Sequence, residues 1–97
     1  MTTIQNIIEK LGIGADQFEI DERNGTIENA KLRLVGDNIA ISGFENISKN
    51  LTDKFGSARD KDETHGEKMW TWDIDGVKVD LYLFEQHCYK LHLSLRL

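Results

Sequence analysis

The chain has 97 residues, enough to bury one hydrophobic core and too few to give a second domain a core of its own. Apolar residues make up 39% and charged residues 30%, which excludes a disordered polyelectrolyte, and no unbroken apolar run nears the length of a membrane helix. Twelve Lys and Arg against seventeen Asp and Glu give a net charge of -5, the wrong sign for holding a phosphate backbone and the right sign for meeting a basic partner.

A single domain over residues 1–97 is therefore expected, with no direct contact to nucleic acid or membrane. The lone Cys88 can form neither an internal disulfide nor a CxxC pair, and the opening MTTIQNIIEK lacks a basic segment followed by a continuous apolar stretch. A reducing cytoplasm fits both features. With no proline and eight glycines, the punctuation falls to Gly, Asn and Asp.

Ile4, Ile7, Ile8 and Leu11 recur at helical spacing. Thr2 and Gln5 suit a capping box ahead of them, and Gly12 offers a left-handed stop. Strands are predicted next. A three-residue Arg23-Asn24-Gly25 loop pairs Ile20 with Glu28 and Phe18 with Ala30, whereas a two-residue loop would set those apolar residues against Asn29 and Lys31. A Gly36-Asp37 turn would then set Leu34 against Ile39 and Leu32 against Ile41. A second helix is predicted from a Ser42/Glu45 capping box through Phe44, Ile47, Leu51 and Phe55 to Gly56. The segment Ser57 to Glu67 carries no periodicity and reads as a long acidic loop.

Met69 to Phe84 alternates around Asp75-Gly76, a strong two-residue hairpin signal that sets Ile74 against Val77 and Trp72 against Val79. A Glu85-Gln86-His87 turn would pair Phe84 with Cys88 and Leu81 with Leu91, completing a meander. The elements in order, αβββαβββ, give an α+β two-layer domain: an antiparallel sheet of about six strands with two helices on one face.

Removing the apolar face leaves Asp73, Asp80, Tyr82, Phe84, Cys88, Lys90, His92, Ser94 and Arg96 pointing outward. The predicted register sets Asp80 opposite His92, two thirds of a hydrolytic triad. Ser94 lies about 7 Å along the strand from His92, without a nucleophile elbow beside it, so a cross-strand charge pair is the simpler account. Cys88 and His92 stand roughly 13 Å apart along an extended strand, and the spacing of His65, His87, Cys88 and His92 matches no common zinc pattern. No phosphate-binding glycine motif is present. No cofactor, metal or catalytic residue is assigned.

The expected function is a non-enzymatic, acidic binding protein that occludes a basic protein partner, in the manner of an inhibitor or immunity-type protein against a toxin or nuclease. Asp60, Asp62, Glu63 and Glu67 from the acidic segment would meet that partner together with Asp73, Asp80, Tyr82 and Phe84 from the open sheet face. The alternative is a small enzyme or ligand-binding domain using Asp80 and His92. A third reading is a homodimer formed through an edge strand or through Tyr82 and Phe84.

Overall fold

The computed structural model describes residues 2–97. Its elements are α1 (Ile4–Leu11), a 3-10 turn (Ala15–Gln17), β1 (Glu19–Arg23), β2 (Thr26–Val35), α2 (Asp37–Phe55), β3 (Asp60–Thr64), β4 (Glu67–Ile74), β5 (Val77–Gln86) and β6 (Cys88–Arg96). The strands form one antiparallel sheet in the order β1-β2-β6-β5-β4-β3. Both helices cover one of its faces, so the α+β two-layer class stands. The six strands are also as expected, except that one follows α2 instead of preceding it.

α1 buries its Ile4, Ile7, Ile8 and Leu11 stripe. Its capping box lies one residue beyond the predicted one: Thr3 Oγ1 accepts from the Asn6 N–H at 3.1 Å, and Asn6 Oδ1 accepts from the Thr3 N–H at 3.0 Å. Gly12 closes the helix in the left-handed region at φ 70°.

The first hairpin turns on two residues, Asn24 and Gly25, both at positive φ. Arg23 and Glu22 pair with Thr26 and Ile27; the register then slips, so that Asp21 pairs with Asn29 and Ile20 with Ala30. Glu28 is the extra residue of a bulge. The predicted three-residue loop and the Ile20–Glu28 pair are thus replaced by a tighter turn, and the bulge returns Ile20 to an apolar partner.

No hairpin forms at Gly36-Asp37. Gly36, at φ 125°, donates its N–H to the Tyr89 carbonyl at 3.0 Å, while Asp37 Oδ1 accepts from the Tyr89 N–H at 2.7 Å. These two hydrogen bonds to the start of β6 turn the chain out of the sheet, and α2 begins at once with an acidic residue in its first turn. The predicted pairs of Leu34 with Ile39 and Leu32 with Ile41 do not exist. Ile39 is 58% exposed, and the buried stripe is Ala40, Phe44, Ile47 and Leu51. Ser42 is not a cap but lies inside the helix, donating to the Asn38 carbonyl at 2.7 Å. A Cβ on Gly43 would stand 2.7 Å from Leu34 Cδ1 and 3.0 Å from Leu91 Cδ2, so the missing side chain is what lets α2 lie close on β2 and β6.

The predicted acidic loop is largely strand. Residues of β3 pair with β4 from Asp60–Thr71 to Thr64–Glu67 across a His65-Gly66 turn with both residues at positive φ. Lys61 lies over the Trp70 ring at 4.1 Å, and Trp70 Nε1 donates to Glu63 Oε1 at 3.3 Å, contacts that hold an edge strand whose side chains are all exposed.

The Asp75-Gly76 hairpin has the predicted register. The next turn centres on His87, at φ 68°, which pairs Gln86 with Cys88, Phe84 with Lys90 and Leu81 with Leu93. That is two residues from the predicted alignment, and because a shift of two keeps every side chain on its face, the inward set is unchanged. Seven residue pairs between β2 and β6, Leu32–Leu93 among them, join the amino-terminal hairpin to the meander. Beneath α1 and α2 the buried Leu32, Trp72, Val79, Leu81, Leu91, Leu93 and Leu95 form a continuous core. Trp72 Nε1 donates to the Gly56 carbonyl at 3.0 Å and ties the end of α2 to β4. Among the described residues, no helix is long and apolar enough to cross a membrane.

Candidate interaction surface

The helices leave the second face of the sheet uncovered. Alternation along each strand decides what stands there, and the strand pairing orders those side chains into rows. One row runs Lys31, Ser94, Asp80, Thr71, Asp60 from β2 to β3; the next runs Arg33, His92, Tyr82, Met69, Asp62. Val35, Lys90 and Phe84 make a third.

Of the eight predicted contact residues, all but Glu63 stand on this face. Asp60 and Asp62 come from β3, Glu67 and Asp73 from β4, and Asp80, Tyr82 and Phe84 from β5. Glu63 pairs with Lys68 and points to the helix side, where it accepts from Trp70. What brings the others together is the β3–β4 hairpin, which lays the acidic segment alongside the meander.

Three rings occupy the middle. Tyr82 and Phe84 are stacked with centroids 4.8 Å apart and planes 21° apart; His92 meets Phe84 edge-on at 4.9 Å. The Tyr82 hydroxyl donates to Glu67 Oε1 at 3.2 Å. Burial, then this hydrogen bond to Glu67 and the carboxylate's charge, raise the Tyr82 pKa above its ordinary value. His92 is displaced downward, first by partial burial and then by the charges of Arg33 and Lys90.

The predicted Asp80–His92 pair is not formed as read. The two-residue difference in the β5–β6 alignment sets Asp80 opposite Ser94 and His92 opposite Tyr82. Asp80 instead accepts from Thr71 Oγ1 at 3.1 Å and lies 3.6 Å from the Arg96 guanidinium. A shallow depression of about 260 Å³ on this face is lined by Asp62, Thr64, Glu67, Met69 and Tyr82, and a smaller one of about 150 Å³ by Lys31, Arg33, His92 and Ser94 with Leu32 and Leu93. His65 and His87 are both turn residues at positive φ, and Cys88 is a half-buried free thiol. Among the described residues, no three His, Cys, Asp or Glu side chains are grouped to hold a metal ion.

The outward side of β2 adds residues to this face that are not among those expected from the last three strands. Lys31, Arg33 and Val35 alternate with buried Leu32 and half-buried Leu34, a pattern that was there to be read.

Asp60 and Asp73 are engaged only at the surface. Arg59 lies 3.0 Å from Asp60 and 3.5 Å from Asp73, each partner about half exposed or more. Such pairs are worth about 0–1 kcal/mol, so a partner's cations can replace them at little cost. Comparison of the chain with protein-family models, with curated proteins and with solved structures finds no match.

Proposed function

We propose that this protein is a non-enzymatic binding module that docks a basic protein partner on its uncovered sheet face, as an inhibitor or immunity-type protein does against a toxin or nuclease. The observation that carries the reading is the gathering of Asp60, Asp62, Glu67, Asp73 and Asp80 beside the stacked Tyr82 and Phe84 on one face. Aromatic rings give such an interface a desolvated centre, and carboxylates around them steer a cationic surface into place. A flat face without an aligned acid–base pair favours occlusion over turnover. The single thiol, Cys88, suits a reducing cytoplasm.

The test is paired capture from the source cell's extract with the wild-type chain and an Asp60→Lys/Asp62→Lys variant. The expected result is one basic protein held at low salt by the wild type, released as salt rises, and not held by the variant. Retention of the same protein by both chains, or of no basic protein, overturns the reading.

A further inference from the structure

We propose that the uncovered face is self-complementary and binds a second copy of this chain, the two sheets packing face to face about a two-fold axis that runs along the strands between β5 and β6. Charge is divided across this face. Lys31, Arg33 and Lys90 stand on β2 and β6, with no carboxylate within ion-pair distance among the described residues. Asp60, Asp62 and Glu67 stand on β3 and β4. A rotation about the stated axis lays β2 of one copy over β4 of the other, and β6 over β5, which brings Arg33 and Lys90 of one copy toward Glu67 of the other and leaves Asp60 and Asp62 at the rim over β1.

The middle of the face is apolar. Phe84 contacts both Tyr82 and His92, half-buried Met69 flanks Tyr82, and Val35, 60% exposed, lies in the row of Phe84. An interface with aromatic residues at its centre and charges around them is the arrangement that holds two proteins together. Size agrees. Six strands of five to ten residues, at about 3.4 Å per residue and spaced about 4.8 Å apart, make a face of roughly 750 Å², close to the roughly 800 Å² per partner of a stable complex.

The edges offer no rival route. β1 and β3 are five residues each, EIDER and DKDET, and such short charged edges resist pairing with another strand. A polyanion fits less well than a second copy, because Asp60, Asp62, Glu67 and Asp80 share the face with the cations. Glu19 and Asp21 of β1 would come to the rim near the acids of β3, a like-charge contact in water that holds the affinity to the order of micromolar.

Sedimentation equilibrium of the full chain at low salt tests this, with circular dichroism as the control for folding. The wild type is expected to double its mass with a Kd on the order of micromolar, and Arg33→Glu/Lys90→Glu and Phe84→Ala are each expected to weaken association by about tenfold or more with an unchanged spectrum. Equimolar Arg33→Glu/Lys90→Glu and Asp62→Lys/Glu67→Lys chains, each monomeric alone, are expected to pair. A wild type that stays monomeric to hundreds of micromolar, roughly a hundredfold above that Kd, overturns the proposal, as does a dimer indifferent to these substitutions. A monomer that instead holds a labelled single-stranded oligonucleotide through Arg33 and Lys90 also overturns it. None of these results decides whether a basic protein binds, which the capture experiment reads separately.

Discussion

His92 stands in the middle row of the open face, with Arg33 beside it on β2, Lys90 two residues before it on β6, and Tyr82 and Phe84 on β5. Partial burial and those two cations make its proton harder to hold in the folded protein than in the unfolded chain. The sign of the consequence follows from linkage. Above the ordinary histidine value of about 6.5 the imidazole is neutral in both states and carries no penalty. As pH falls through that value the unfolded chain takes up the proton first, so stability declines, and the decline levels off once folded His92 is protonated too. Urea midpoints of the wild type measured from pH 8 to pH 5 should therefore fall more steeply than those of a His92→Gln chain. Parallel curves would assign the acid sensitivity to another group. Tyr82 acts at the opposite end of the scale: its raised pKa keeps the phenol protonated and donating to Glu67 while the unfolded chain begins to ionise.

At the scale of elements, the start of α2 decides where the third strand lies. Gly36 and Asp37 are both bonded to Tyr89, so the corner is fixed to β6 before the helix turns its first residue. Asp37→Ala removes a charge-assisted bond and an acid from the first turn, an expected loss of about 1–2 kcal/mol in urea unfolding. Ser42→Ala, at the residue that sequence alone marks as the cap, should change stability by no more than about 0.5 kcal/mol, because a mid-helix Ser bonded to the carbonyl four residues back adds little. The reverse order would mean that the helix begins at Ser42. Leu34, Ile39 and Ile41 fit a two-residue period as well as a helical one, and Ala40, the residue that α2 buries, is too small to stand out in an apolar pattern. β3 was hidden for a different reason: all five of its side chains are exposed, so it has no alternation to read. The Asp75-Gly76 turn was legible because its chemistry and its apolar pairs agree. The face of each meander residue was legible too, while its opposite neighbour was not, since a slip of two leaves the pattern unaltered. The common face of the acidic and aromatic side chains is therefore legible in the sequence, while the cross-strand neighbours of Asp80 and His92 are not.

For the whole molecule, the decisive seam is the pairing of β2 with β6. It joins residues distant in the chain, and it sets the first hairpin and α1 against the same core that α2 shares with the meander. If that core is one cooperative unit, as 97 residues suggest, no part of it can melt while the rest persists. Trp70 and Trp72 report on β4 and its contact with α2, far from β1 and β2 in the sheet order, whereas far-ultraviolet circular dichroism averages over every element. The two signals should trace one urea transition. Leu32→Ala sharpens the test: Leu32 is 4% exposed on β2, and truncating it should cost about 2–5 kcal/mol. In a single unit the tryptophan signal must register that loss in full although β6 and β5 lie between Leu32 and the tryptophan-bearing β4. A tryptophan midpoint that stays where it was, beside a shifted dichroism signal, would show that the amino-terminal layer folds apart from the meander. The open face would then have no fixed relation between its basic and acidic halves.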